Sequence, residues 1–235
     1  MANALIVLTS HTELGRTGRK TGFYFDEMAA PYWALTDAGH DVRIATIAGG
    51  SATPDPTSVT ADGDNPPAVD RFRADPVAMA KLSDTPSVDA IDATNFDAVF
   101  LAGGHGTMFD FPDSDGLADL VSAIHAAGGV VGAVCHGPAG LVKATRTDGR
   151  PLVEGLRVNA FTDAEEAAVE LTDEMPFLLE TRLRALGAVF EASGVFEPHA
   201  VRDGRLVTGQ NPASAGPVAA LLLEAIAESH AVKAA

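Results

Sequence analysis

The sequence predicts an α/β fold: a doubly wound, mostly parallel sheet between two layers of helices, with a nucleophile elbow at the carboxyl end of one strand. Three observations predict it. Short, continuous apolar runs recur at 4–8, 97–102 and 130–134, as strands buried on both faces require. Helical patterns lie between such runs and close on glycine, as at 114–127 before Gly128 and Gly129. Glycine-rich turns follow two of the strands, on the side where open α/β sheets bind ligands.

Taken in order, the run at 4–8 is the first strand, and the polar segment 11–22 with its three glycines is a loop at the strand's carboxyl end. Residues 23–28 lead into a helix that ends at Ala38 and Gly39, with Pro31 marking a helix start or a kink. Glu27 lies near that helix entrance among aromatic and apolar residues, which would raise its pKa by desolvation. A second strand follows at 42–47. The Pro-, Asp-, Ser- and Thr-rich stretch 51–73 reads as an irregular excursion packed as a lid or a dimer surface. Asp75 caps a helix over 75–82 with Pro76 in its first position, and 84–93 is a polar connection or short helix. The strand at 97–102 runs into Gly103-Gly104-His105-Gly106-Thr107, whose backbone N–H groups can face a ligand. His105 is a candidate substrate contact, with its backbone favoured over its ring. This loop lacks the dinucleotide fingerprint, and no phosphate-loop Lys-Ser/Thr occurs, so neither NAD nor ATP is expected.

Val130, Val131 and Val134 build the strand that carries the single cysteine, Cys135, onto a bend before His136, Gly137 and Pro138. Free cysteine usually behaves as a small buried hydrophobe. Here its neighbours are a histidine and a glycine, and the N–H groups and positive end of a following helix would favour a thiolate and an oxyanion. Beyond it, the chain turns at 145–149 and forms a strand around 156–158. A helix begins at 161–166, capped by Thr162 or Asp163, and another spans 176–186 before a short strand at 188–190. Asp203-Gly204 between two β-prone runs signals a hairpin over 200–208, and 213–228 is the last helix.

Composition sets further bounds. With 235 residues, 46% hydrophobic and 20% charged, and no repeat or linker in view, a single domain over 1–235 is the simplest account. No apolar run approaches the ~20 residues a bilayer span needs, and the N-terminus lacks a secretory signal's basic flank, so a soluble cytoplasmic protein without a membrane partner is expected. The net charge of −16 opposes binding to nucleic acid. Such an acidic surface with only four lysines suits a salty cytoplasm, though keeping the protein soluble is the plainer explanation. One cysteine excludes an intramolecular disulfide and cysteine-pair metal sites; no metal or cofactor is expected.

Ala133-Val134-Cys135-His136-Gly137-Pro138, the segment 102–112 and the segment 22–31 with Glu27 together resemble the ThiJ/PfpI superfamily. Its fold is similar to class I glutamine amidotransferases and implies a single-domain, flavodoxin-like α/β/α sandwich. Residues 161–166 and 207–214 resemble the small stress-chaperone branch with glutathione-independent glyoxalase (glyoxalase III) activity. By this resemblance Cys135 is the nucleophile, Glu27 the acid touching its sulfur, His136 the neighbouring base and Glu166 the carboxylate orienting it, with Glu165 the rival. The N–H groups of Gly104 and His136 would form an oxyanion hole. The implied reaction converts methylglyoxal and related 2-oxoaldehydes to lactate through a Cys135 hemithioacetal in a homodimer, without cofactor. Relatives with similar motifs are described as deglycases, proteases, holdase chaperones, redox sensors or isonitrile hydratases. Glutamine amide transfer fits less well, because the late Glu197-Pro198-His199 has the wrong order and spacing for its histidine.

Overall fold

The computed structural model describes residues 1–233. Strand β1 (Asn3–Leu8) is followed by a small hairpin of β2 (Glu13–Leu14) and β3 (Arg19–Lys20) inside the predicted loop, then by α1 (Phe25–Asp37) and β4 (Asp41–Thr46). Next come α2 (Pro67–Ala74), α3 (Pro76–Ala80), β5 (Ala98–Leu101), α4 (Thr107–Asp110), α5 (Asp115–Ala126) and β6 (Val130–Val134). The chain continues through β7 (Arg157–Val158), α6 (Asp163–Ala168), α7 (Leu179–Ala185), β8 (Val189–Phe190), the hairpin β9 (Ala200–Asp203) and β10 (Leu206–Gly209), and α8 (Ala215–Lys233). Among the described residues no helix is long and apolar enough to cross a membrane.

The main sheet has the order β4-β1-β5-β6-β10-β9, parallel throughout except for the β10–β9 edge pair. This is the mostly parallel sheet with flanking helices that the apolar runs predict. Alternation along each strand divides the core between its two faces. Ile6, Leu8, Phe100 and Val134 pack with residues of α1, α2 and α8; Leu5, Val7, Leu101 and Val131 pack with residues of α5 and α7. The two central strands, β5 and β6, deliver Gly103 and Cys135 side by side at the sheet's carboxyl edge, since Leu101 pairs with Ala133.

Four local expectations are corrected. The excursion 51–73 is not irregular throughout, because α2 lies within it. Pro67 suits the first helical position, and Val69 and Phe72 bury one face. Phe72 meets Phe25, Tyr32 and Trp33 edge-on, with ring centroids 5.7, 4.9 and 6.1 Å apart. Only the two apolar positions of α2 carry a helical signal in the sequence, too few to stand out from its prolines. The helix expected after the elbow is instead a 3₁₀ segment, Gly137–Leu141. Two glycines and a proline in five residues do not sustain an α-helix, so no macrodipole of consequence points at the sulfur. The hairpin turn falls on Gly204 and Arg205, one residue later than expected, because Asp203 still pairs with Leu206. Pro31 neither starts nor ends α1; it lies within the helix.

Candidate active site

Cys135 leaves β6 with φ of 59°, the left-handed conformation that non-glycine residues avoid. Hydrogen bonds on both sides hold it there: its N–H donates to the Gly209 carbonyl at 2.8 Å, and its carbonyl accepts from Phe161 N–H at 2.8 Å. Gly137 makes the bend possible, since a Cβ there would lie 2.1 Å from the Leu101 carbonyl oxygen. The bend turns the sulfur to line a cavity of about 250 Å³, together with Tyr24, Gly104, His105, His136, Phe161 and Phe196.

His136 is wholly buried, with Nδ1 3.3 Å from the Cys135 sulfur and Nε2 2.7 Å from Glu166 Oε2. Burial pushes the imidazole pKa down, and the neighbouring His105 adds to this, while Glu166 opposes it. Burial alone would raise Glu166, yet His136 and His105 bring its carboxyl down to about 2. The ionised carboxylate therefore accepts from His136 Nε2–H, leaving Nδ1 as the proton acceptor facing sulfur. The family resemblance favours Glu166 over Glu165 as the partner of His136, and Glu166 is the one that meets the His136 ring. Glu165 is occupied elsewhere: Oε1 accepts from Phe196 N, Gln210 Nε2 and Asn211 Nδ2, and Oε2 from the Thr162 amide and hydroxyl. Thr162 and Glu165 form a reciprocal cap on α6, so Thr162 rather than Asp163 is the N-cap.

Glu27 stands in the first turn of α1 with no exposed surface. Among the described residues neither of its carboxylate oxygens has a partner in hydrogen-bond geometry. Burial pushes its pKa well above the carboxylate range, against the nearby Cys135 thiol and Gly103 backbone, which favour the charged form. Burial likewise pushes the Cys135 thiol up, and an ionised Glu27 beside it pushes in the same direction. Two such neighbours do not both carry a charge, so the pair holds at least one proton. The His136 backbone N–H faces the sulfur and favours the thiolate.

Gly103 fits between the two. A Cβ on it would lie 2.5 Å from Glu27 Oε2 and 2.6 Å from the Val134 carbonyl oxygen. Gly104 adopts φ of 105°, and a Cβ on it would lie 2.3 Å from the Gly22 carbonyl oxygen and 2.7 Å from the Tyr24 amide nitrogen. Thr107 Oγ1 donates to the carbonyls of Gly104 and His136, at 2.9 and 3.1 Å, and so joins the two loops.

Sequence alone favours the His105 backbone over its ring, but the ring takes part: Nε2 is 3.1 Å from Glu166 Oε1, and the ring centroid is 4.2 Å from that of His136. His105, His136 and Glu166 each offer a donor atom within 4.8 Å of the others, the composition of a two-histidine, one-carboxylate metal site. Both imidazoles hydrogen-bond the carboxylate. Tyr24, Thr57, Val169, Phe196 and Pro212 also line the cavity and were not picked out as site residues from sequence. The Tyr24 phenol pKa is raised by burial and then by Glu27 and Cys135, so its hydroxyl stays a donor. Thr57 belongs to the 51–73 excursion, which therefore reaches the cavity; the Asp55 carboxylate, accepting from Thr21 Oγ1 at 2.7 Å and Thr57 N at 2.8 Å, holds it there. His199, the late histidine, does not line the cavity and lies 3.8 Å from Glu191.

Fold and site together define the class: a flavodoxin-like α/β protein with a cysteine, histidine and carboxylate cluster at the carboxyl edge of its sheet. Within that class the chain belongs to the DJ-1/PfpI family, whose sequence profile matches residues 22–225. It is 33% identical over 232 residues to the glutathione-independent glyoxalase HSP31 of Saccharomyces cerevisiae, covering 94% of this chain and 97% of the relative. The solved glyoxalase III of Candida albicans superimposes with a TM-score of 0.87 at 31% identity, covering 95% of this chain and 97% of that one. The Rapid Encystment Protein of Francisella tularensis superimposes with a TM-score of 0.91 at 34% identity, covering 96% and 99%.

Proposed function

We propose that this protein is a glutathione-independent glyoxalase of the lyase type, converting methylglyoxal and related 2-oxoaldehydes to 2-hydroxy acids with Cys135 as nucleophile. The observation that carries the reading is the fully buried Glu27 carboxyl beside a sulfur on a strained elbow. The names of the relatives support it. In the reacting form Glu27 holds the shared proton and Cys135 is the thiolate. Sulfur attacks the aldehyde carbon, and Glu27 gives its proton to the aldehyde oxygen, forming a hemithioacetal. Glu27, now a carboxylate, removes the hydrogen from that carbon and returns it to the adjacent carbon. The hydroxyl proton passes to the ketone oxygen through the His136 imidazole, which leaves a lactoyl thioester. Glu27 takes a proton from the water that adds to the thioester, Cys135 departs as thiolate, and lactate leaves with the water's second proton released to solvent, which restores the starting pair. Backbone N–H groups of Gly104 and His136 hold the oxyanions. The family resemblance supports a cytoplasmic homodimer.

Lactate produced from methylglyoxal without glutathione, by protein treated with chelator, is the expected result; no lactate under these conditions would overturn the assignment. Glu166→Gln tests the orientation of His136. Its amide can turn an N–H toward the ring and select the wrong tautomer, so kcat is expected to fall about 10²-fold with KM little changed. Unaltered kcat would remove Glu166 from the mechanism.

A further inference from the structure

Phe196 is a bulky residue in a conformation such residues avoid, with φ of 59° and 48% of its surface exposed, and it lines the cavity. A ring of this size, half in water at the mouth of a cavity, has an unsatisfied apolar face. The segment around it has no regular secondary structure, yet it is clamped from below. Phe196 N–H donates to Glu165 Oε1 at 2.9 Å, Ser193 N–H to Gln210 Oε1 at 2.9 Å, and Asn211 Nδ2 to the Glu197 carbonyl at 2.7 Å. Buried polar side chains from α6 and the turn after β10 thus fix the strained backbone. The ring it presents lies 6.3 Å from Phe161, whose own ring lies 4.4 Å from His136.

The cavity lining therefore combines two chemistries, with Phe161 bridging them against the histidine rings. Cys135, His136, His105, Tyr24 and Thr57 gather polar groups, while Phe161, Phe196 and Val169 form an apolar wall. Methylglyoxal occupies the volume of roughly three water molecules at ~30 Å³ each. More than half of the cavity of about 250 Å³ is left for a larger substituent.

We infer that Phe196 determines specificity, selecting 2-oxoaldehydes that carry an aryl or other large apolar substituent, and that Glu165 is the positioning residue that holds Phe196 against the cavity. The inference rests on the glyoxalase reading and adds the substrate class. The aldehyde and ketone carbons sit at the sulfur, and the substituent covers the exposed face of Phe196. Glu165 and Glu166, adjacent on α6, hold the substrate wall and the catalytic imidazole respectively.

The test compares kcat/KM for phenylglyoxal and methylglyoxal in wild type, Phe196→Ala and Glu165→Gln. It is paired with calorimetric titration of the two products, mandelate and lactate. An aromatic contact of this kind is worth about tenfold in binding. The phenylglyoxal-to-methylglyoxal ratio is expected to fall about tenfold in Phe196→Ala, through KM, and Phe196→Tyr is expected to restore it. Glu165→Gln is expected to shift the ratio in the same direction with kcat for phenylglyoxal held. Should that variant fail to fold, Phe196→Ala alone decides. Wild type is expected to bind mandelate about tenfold more tightly than lactate, and Phe196→Ala to lose that preference. Turnover of both aldehydes with an unchanged ratio in Phe196→Ala overturns the specificity inference and leaves the glyoxalase reading intact. Absence of turnover, with a mandelate preference that Phe196→Ala abolishes, overturns the glyoxalase reading and supports the aryl-binding wall.

Discussion

Cys135→Ala is expected to eliminate lactate formation from methylglyoxal, a loss of at least ~10⁵-fold in kcat, because no other group in the cavity can form the covalent intermediate. Cys135→Ser should do little better, since a hydroxyl beside a buried carboxyl gives almost no alkoxide at neutral pH. The elbow is held by backbone hydrogen bonds to Gly209 and Phe161, which alanine retains. The melting temperature should therefore stay within a few degrees of wild type. Retention of even a tenth of the activity in Cys135→Ala would show that the sulfur is not the nucleophile. A collapse in stability would instead show a structural cysteine, consistent with its 3% exposure and its place in the core cluster.

Glu27→Gln is expected to cost about 10³- to 10⁴-fold in kcat while making the protein more stable at neutral pH. The rate follows from the proton, which an amide cannot carry between the two carbons. The stability follows from linkage. Burial raises the Glu27 pKa in the folded protein well above its ordinary value of 4.5. The folded state thus binds the proton more tightly than the unfolded state. Stability from that proton is fully present below pH 4.5 and is lost as pH rises through the folded-state pKa. Glutamine has no proton to lose, so the variant should gain on wild type above that pH and show no such gain below it. In a chain of this length ~1 kcal/mol appears as roughly 2–4 °C in melting temperature. Melting curves at pH 4 and pH 8 read the effect; a difference that does not grow with pH would mean that Glu27 is not held neutral by burial. A catalytic group that lowers the stability of its own fold is a common feature of active sites.

The part of this site carried by local sequence was legible. Apolar runs of strand length, the glycines after β5 and the bend at Cys135 specify backbone shape over a few residues, and each formed where expected. Glu27 was identifiable by its family motif and its apolar neighbours. The elements that escaped notice have weak local signals: α2 buries two residues on an aromatic cluster contributed by α1, and the 3₁₀ segment after the elbow replaced a helix its composition could not sustain. Phe196 gave no signal at all. Its left-handed backbone is imposed by a carboxylate from α6 and amides from the turn after β10, groups separated from it in the chain by up to 31 residues.

By itself, then, the sequence determined a parallel sheet wound with helices on both faces and a lone thiol at its ligand-binding edge, because those properties follow from short-range periodicity and turn chemistry. Only the tertiary structure decided which acid meets which partner. Successive residues on α6 point about 100° apart, and periodicity alone did not separate Glu165 from Glu166; only the family spacing favoured Glu166. Packing turned one toward His136 and the other toward Phe196. The raised pKa of Glu27 was foreshadowed by its apolar neighbours, and the structure supplies its cause, the complete burial of the carboxyl away from water.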